Sequence, residues 1–225
     1  AIYTSQNVNI TAADDITVVG GVRADVGLVL DSSNGKVNVI GGLLSTGGML
    51  NIATNDTLTI DGKMFGGVGV GLSTINDVVF NGGSLKSNGD IRIAAGTDGT
   101  GTIDLGKEAT GGYVIDTATA LAMTAPNDIT ITGRIRALGD NAIASGDNVL
   151  LNGGSLESNG DISIAAGTDG TGTIDLGEEA TGGYVIDTAS ALAMTAPNDI
   201  TITGRIRALG DNAIASGDNV LLNGG

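Results

Sequence analysis

The sequence predicts an all-β protein, a parallel β-solenoid (right-handed β-helix) of about ten coils. Three observations predict this fold class: a 71-residue block occurs twice in tandem, a strand-like motif recurs every 20 to 21 residues over much of the chain, and a glycine closes the motif each time. Glycine makes up 39 of the 225 residues and proline only 2, a composition that excludes collagen and proline-rich linkers.

The tandem block covers residues 81–151 and is repeated, with four exchanges, as residues 152–222. Residues 1–80 precede the duplication and 223–225 begin a third unit, so we expect one continuous solenoid that is a fragment of a longer array. The chain also lacks an initiator Met and a signal peptide, which agrees with this expectation. No exchange alters an apolar residue and three remove a cation, which predicts that the exchanged positions face solvent. The exchanges are Lys86 to Glu157, Arg92 to Ser163, Lys107 to Glu178 and Thr119 to Ser190.

A shorter motif, apolar-x-apolar-x-Gly, predicts the strands. Alternation over about five residues indicates a strand with one buried face, and the glycine indicates a bend where a Cβ would obstruct the chain. The starts of successive instances are 21, 21, 20, 51, 20, 51 and 20 residues apart. The eight instances are Ile16-Val18-Gly20, Val37-Val39-Gly41, Leu58-Ile60-Gly62, Val78-Phe80-Gly82, Ile129-Ile131-Gly133, Val149-Leu151-Gly153, Ile200-Ile202-Gly204 and Val220-Leu222-Gly224.

The spacing favours stacked coils over the alternative, a β-sandwich whose hairpins would close at the Asn-Gly and Asp-Gly pairs. A strand that returns after about 20 residues can pair in parallel with its predecessor about 4.8 Å away. We expect each 51-residue interval to hold two coils, one around Ile91–Ile93 to Ile103–Leu105 and one around Leu121–Met123. Each 71-residue unit then contributes three coils and about 14 Å of length.

The residues between the apolar pairs are expected to point outward, where Thr and Asn can form ladders along the coils. Asn81, Asn152 and Asn223 fall beside glycine at strand ends, and we assign them a structural role because Asn tolerates unusual backbone angles. The expected outward positions are Thr17, Asn38, Thr59, Asp61, Thr130, Thr132, Thr201 and Thr203.

Charge and composition exclude several classes of function. The formal charge of −15 would repel nucleic acid, and no apolar run is long enough to insert in a membrane. With no His and no Cys, Ser-His-Asp and Cys-His catalysis and conventional zinc sites are not available. A polysaccharide-degrading enzyme with paired carboxylates is the remaining enzymatic alternative, and we do not favour it because aromatic platforms are few.

Two motifs are candidate binding sites. Asp98 and Asp169 lie in "GTDGTGTIDLG", which superficially resembles a calcium-binding β-roll but lacks its nine-residue iteration, so we expect ordinary acidic turns with calcium as a weak alternative. Two cationic pairs, in "GRIRALGD", are expected to face outward beside rows of Asp, with glycan binding as the alternative. The pairs are Arg134 with Arg136 and Arg205 with Arg207.

Three segments resemble the β-helical repeats of filamentous-haemagglutinin-type exoproteins and related giant bacterial surface adhesins: "NVNITAADDITVVGGVRA", "GKVNVIGGLLSTGGMLNIATNDTLTIDGKM" and "NDITITGRIRALGDNAIASGDNVLLNGG". The resemblance covers essentially the whole chain and rests on composition and period. It implies a right-handed parallel β-helix that is secreted, displayed at the cell surface and used as a shaft or adhesive stalk. It carries over no catalytic residue.

We therefore predict a non-enzymatic structural shaft of a bacterial cell-surface adhesin or extracellular filament, with no catalytic, cofactor-binding or metal-binding residue. The predicted partners are other copies of the chain, which associate end to end, or neighbouring repeats, with host or matrix glycans as a further alternative. A glycan- or calcium-binding β-helix module is the alternative function.

Overall fold

The computed structural model describes residues 1–223, and these residues form thirty strands and no helix. The strands make three ten-stranded parallel sheets, which we call A, B and C. Each sheet takes every third strand, so one strand from each sheet makes one coil and residues 1–223 make ten coils. The predicted parallel solenoid is confirmed and the antiparallel sandwich is wrong. The helix-free residues 1–223 accordingly offer no helix that could cross a membrane.

The strands are short and have similar lengths in all ten coils. Sheet A contains Ile2–Thr4, Val22–Ala24, Leu43–Thr46, Lys63–Gly66, Ser84–Ser87, Tyr113–Thr117, Arg134–Ala137, Ser155–Ser158, Tyr184–Thr188 and Arg205–Ala208. Sheet B contains Val8–Ala12, Leu28–Ser32, Met49–Thr54, Gly69–Thr74, Ile91–Ala94, Leu121–Ala125, Asn141–Ser145, Ile162–Ala165, Leu192–Ala196 and Asn212–Ser216. Sheet C contains Ile16–Val18, Val37–Val39, Leu58–Ile60, Val78–Phe80, Ile103–Leu105, Ile129–Ile131, Val149–Gly153, Ile174–Glu179, Ile200–Ile202 and Val220–Leu222.

The strand register explains the irregular spacing of the motif. All eight motif instances are strands of sheet C, and the two sheet C strands without the motif, Ile103–Leu105 and Ile174–Glu179, lie inside the 51-residue intervals. Val78 pairs with Ile103, which pairs with Ile129, so each interval holds two coils as predicted. The first coil of each unit is longer because it carries two inserted loops, at 95–102 and 106–112 in the first unit.

Aliphatic side chains that alternate along the strands fill the interior. In the three-residue strands of sheet C that precede coil 10, the first and third residues are buried and the second is not, as in Leu58, Thr59 and Ile60. Each apolar residue lies directly on its counterpart in the next coil, so the core is one continuous column. Removing one such side chain from water contributes roughly 1.5–3 kcal/mol, and only stacked coils can achieve it.

The outward positions agree with the sequence prediction. None of the eight Thr, Asn and Asp positions predicted to point outward is buried, and neither are the eight residues exchanged between the two units. The role given to Asn81 and Asn152 needs correction. The left-handed backbone angle falls on the following residue, Gly82 (φ 90°) or Gly153 (φ 83°), and no non-glycine residue in the described part of the chain has a positive φ.

Buried hydroxyl groups line two corners of the solenoid, a feature that the sequence reading missed. Thr117 and Thr188 end their sheet A strands fully buried, and each hydroxyl donates a hydrogen bond to a corner carbonyl of the preceding coil, Gly89 O at 2.7 Å and Gly160 O at 2.6 Å. Gly89 O and Gly160 O accept no backbone hydrogen bond from the next coil within residues 1–223, so these side chains satisfy them.

Candidate functional site

The outward face of sheet A gathers most of the chemically distinctive side chains. All three tyrosines and Phe65 belong to its strands, whereas the other phenylalanine, Phe80, is buried in the core. Seven of the ten cationic residues also lie on these strands. We call this surface the sheet A face. The cations are Arg23, Lys63, Lys86, Arg134, Arg136, Arg205 and Arg207.

The centre of this face in the first unit is Tyr113. The guanidinium carbons of Arg134 and Arg136 lie 4.7 and 4.6 Å from its ring centroid, within the range of cation–π attraction. Its hydroxyl donates a 2.7 Å hydrogen bond to Glu157 Oε2. Burial, and then this hydrogen bond, raises the pKa of Tyr113 above its ordinary value. The phenol therefore stays protonated and acts as a donor.

Arg136 also holds a carboxylate of the preceding coil. Its Nε and Nη2 donate to the two oxygens of Asp116 at 2.9 and 3.0 Å, a bidentate pair, and Lys86 Nζ lies 3.5 Å from the same carboxylate. Partial burial disfavours the charge on Asp116, but the hydrogen bond and charge of Arg136 outweigh burial and lower the pKa of this carboxyl. The expectation that the arginines face Asp rows is correct for Arg136, while Arg134 lies against Tyr113.

The second unit repeats the arrangement. Arg205 and Arg207 lie 4.7 and 5.0 Å from the ring centroid of Tyr184, and Arg207 Nε donates to Asp187 at 2.7 Å. Tyrosine and arginine are 21 residues apart in both units, close to one coil, so the sequence does contain the signal. We missed it because the pairing depends on a register shift between Tyr113 and Ile115.

One exchange between the units has a physical explanation in this face. Lys86 and Glu157 occupy equivalent positions on the outward side of sheet A. Lys86 lies next to Phe65 of the preceding coil, whereas Glu157 lies next to Arg136 of the preceding coil. A lysine at position 157 would adjoin a like charge and could not accept the Tyr113 hydrogen bond. Glutamate therefore suits the junction between units, where the preceding coil presents the arginine pair.

The loops 106–112 and 177–183 are each closed by a glutamate. Glu108 Oε2 accepts hydrogen bonds from Thr110 N, Thr110 Oγ1 and Gly112 N at 2.8, 2.6 and 3.0 Å. Glu179 makes the same three bonds in the second unit, and both side chains are nearly buried. The Thr110 side-chain bond and the backbone bonds lower the pKa of Glu108. At Glu179 burial raises the pKa, but the hydrogen bonds from Thr181 and Gly183 outweigh burial, so the pKa of Glu179 is also lowered.

The lowered pKa values of Glu108 and Glu179 predict that the folded protein loses stability in acid. Because their folded-state pKa values lie below the ordinary value of 4.5, their contribution is complete above that pH and is lost as the pH falls through the lowered values. We expect the Glu108→Gln/Glu179→Gln variant to unfold more easily than wild type at pH 7, with a smaller difference at pH 3, in thermal unfolding followed by circular dichroism. Glu178→Gln, an exposed neighbour, is the control. Equal acid sensitivity in wild type and the double variant would contradict the assignment.

An open groove of about 470 Å³ lies between these loops, and residues of the two intervening coils line its floor. Its carboxylates, Glu108 and Glu179, are held within their own loops. Lys107 and Arg134 also line the groove, and within residues 1–223 neither has a carboxylate oxygen within 4 Å of its charged nitrogens. The groove therefore offers two cationic donors, one of which, Arg134, also lies over the Tyr113 ring.

The candidate calcium residues are parts of turns. Asp98 Oδ1 accepts hydrogen bonds from Thr100 N and Oγ1 at 3.0 and 2.9 Å, and Asp169 makes the same bonds to Thr171. The Thr100 bonds lower the pKa of Asp98. Among the described residues no group of three acidic side chains is placed to hold a metal ion. The acidic-turn interpretation explains both positions.

The fold and this face define a class of protein, a three-sided parallel β-solenoid of tandem units with one face rich in aromatic and cationic side chains. No protein-family model matches the chain, and neither a curated protein nor a solved structure gives a match. The fold class therefore rests on the strand pairings themselves.

Proposed function

We propose that this protein is a non-enzymatic structural shaft of a bacterial cell-surface adhesin or extracellular filament. The observation that carries the proposal is the unbroken stack of ten coils, in which tandem units extend the same three sheets and the same core. A stack of this kind grows in one dimension as units are added. The compositional and periodic resemblance to adhesin repeats supports its placement outside the cell.

The outer end of coil 10 is apolar. Ile214 and Leu222 belong to the inward-facing columns but are 39% and 67% exposed, because coil 10 has no coil stacked on its outer side. A coil of another copy stacked end to end would cover them. The inward-facing residues of the first and last coils have the same spacing along the chain, which suits the stacking of one end on the other. Ile2 and Ile10 are eight residues apart, as are Ile206 and Ile214.

The length of the particle tests the proposal. We expect insertion of one more 71-residue unit between the existing two to lengthen the particle by about 14 Å at constant cross-section, measured by small-angle X-ray scattering. Deletion of residues 152–222 should shorten it equally. A change in cross-section, or a compact particle, would contradict a shaft. Antibody labelling of intact cells of the source organism tests display at the surface, and labelling only after lysis would contradict it.

A glycan-binding module is the second candidate, favoured by the open groove that Lys107 and Arg134 line. Lys107 and Arg134 can donate hydrogen bonds to sugar hydroxyl or carboxylate groups. Calorimetric titration of an acidic oligosaccharide tests it. Heat that disappears in Lys107→Ala/Arg134→Ala but persists in Arg92→Ala, on sheet B, would support this candidate.

A further inference from the structure

Charge is distributed unevenly around the solenoid. The sheet A strands hold seven of the ten cations but only three of the 25 carboxylates, a formal charge of +4. The rest of the chain therefore carries −19, since the total is −15. The three carboxylates are Asp116, Glu157 and Asp187, and the first and last already pair with arginines of the same face.

The corner between sheets B and C carries the opposite charge. Ten aspartates and a single cation, Lys36, lie in the segments that join these sheets, a formal charge of −9. We call this corner the aspartate ridge. In a three-sided solenoid it lies opposite sheet A. Its members are Asp14, Asp15, Asp56, Asp77, Asp98, Asp128, Asp147, Asp169, Asp199 and Asp218.

Much of the ridge is held in place by hydrogen bonds between coils. Asp77 Oδ1 accepts from Thr102 N and Oγ1 at 2.9 and 3.0 Å, and Asp128 Oδ1 accepts from Asn148 N and Nδ2 at 3.1 and 2.9 Å. None of the ten aspartates is buried. The ridge is therefore a fixed row of accessible negative charges along the length of the solenoid.

We propose that the sheet A face is a docking surface for the aspartate ridge of a second copy of this chain, so that solenoids associate side by side. The proposal goes beyond the shaft function, because it concerns lateral contacts and not the length of the rod. The two surfaces differ, so the contact is heterologous, and a third copy can add to the second in the same way.

Screening decides whether local attraction or overall repulsion dominates. At about 0.15 M salt the Debye length is about 8 Å, shorter than the distance across a core whose opposing layers are already about 10 Å apart. Each copy then responds mainly to the surface that faces it, and +4 meets −9. At about 0.01 M salt the Debye length is about 30 Å, so the whole charge of −15 is felt and the copies repel. At about 1 M salt the attraction is screened as well.

The size of the face sets the strength of the contact. Ten coils at about 4.8 Å, with strands of about four residues at about 3.3 Å, give a surface of roughly 600 Å² on one partner. A total of roughly 1,200 Å² is at the lower limit for specific interfaces. The association is therefore weak and reversible. The segments that join sheets A and B carry no cation, so a narrow ridge fits on sheet A better than a broad acidic surface. Their aspartates are Asp25, Asp90, Asp140, Asp161 and Asp211.

Sedimentation velocity at 10 mM, 150 mM and 1 M NaCl tests the proposal, with the full 225-residue chain and two variants. The face variant is Lys63→Glu/Lys86→Glu, and Glu already occupies the position equivalent to Lys86 in the second unit. The ridge variant is Asp14→Lys/Asp147→Lys/Asp218→Lys, three aspartates whose carboxylates accept no hydrogen bond within residues 1–223. Unchanged unfolding temperatures confirm that both variants fold.

We expect wild type to self-associate most strongly at 150 mM NaCl, and each variant alone to associate at least about tenfold more weakly. An equimolar mixture of the two variants should form pairs and nothing larger. The ridge variant supplies the one native sheet A face and the face variant supplies the one native aspartate ridge, so no native surface is left for a third copy. Small-angle scattering of the wild-type assemblies should show a wider cross-section. Wild type that stays monomeric at all three salt concentrations would overturn the proposal. Tighter association of the ridge variant would also overturn it, because it would show that self-association depends only on the smaller net negative charge of that variant. Wild-type assemblies that grow in length at constant cross-section would contradict the proposal too, because that is the result expected for end-to-end stacking.

Discussion

Replacing Gly89 by alanine is expected to destabilise the solenoid by about 3 kcal/mol or more, the upper end of the range for overpacking. Gly89 lies in the corner between sheets A and B of coil 5, where an added Cβ would be 1.6 Å from the backbone oxygen of Val68 in coil 4. Backbone atoms of a stacked coil cannot move aside as a side-chain end can, so the coils must separate. The contact at risk includes the 3.1 Å hydrogen bond from the Ser87 hydroxyl to Gly66 O, which joins the same two coils.

The effect should be local, because each coil of a solenoid contacts only its neighbours. Hydrogen exchange should therefore accelerate in coils 4 and 5 before the rest of the chain, alongside a lower unfolding temperature. Gly20→Ala is the matched control, since a Cβ there would have no neighbour closer than 3.8 Å, and a change within about 0.5 kcal/mol is expected. If both variants unfold like wild type, close corner contact does not limit the stacking.

Replacing Asn141 by leucine is expected to stabilise the protein by about 1–3 kcal/mol. Asn141 is 1% exposed, and neither Oδ1 nor Nδ2 has a hydrogen-bond partner. It is stacked between Leu121 and Ile162 in a column that is otherwise aliphatic through the buried coils. A buried amide without partners loses its hydration and gains nothing in return, whereas leucine extends the apolar column.

The repeat supplies a control for this substitution. Asn212 occupies the equivalent position in the second unit but is exposed in coil 10, so Asn212→Leu should change the free energy of unfolding by less than about 0.5 kcal/mol. Chemical denaturation of both variants measures the difference. A loss of stability in Asn141→Leu would show that the amide is not a liability in the core.

The strands of sheet C were predictable because each presents two apolar residues on its inward side and then a glycine, as at Leu58, Ile60 and Gly62. Sheet A was not, because its strands carry fewer inward residues: Lys63–Gly66 has the single large inward side chain Met64. A strand of that kind has no hydrophobic period, and only its neighbours in the stack define it.

The sheet A face was only partly predictable for the same reason. The arginine pairs were visible as a motif, and Arg136 does face an aspartate. The contact of Tyr113 with both arginines depends on strand register, which the sequence pattern did not specify to one residue. The buried hydroxyl of Thr117 and the unpaired amide of Asn141 were also missed, because polar residues in such positions look like ordinary surface residues until the corners are placed.

The boundaries of the units have a consequence for the history of the gene. Asn81 begins its unit in the corner between sheets C and A, Asn152 begins the next near the end of a sheet C strand, and each full unit makes three whole coils. Unequal crossing-over between near-identical copies would therefore add or remove complete coils. Every strand that remains would still pair with a suitable strand of the neighbouring coil. Populations of the organism should carry alleles that differ by multiples of 71 codons, each encoding a product that folds as well as its parent.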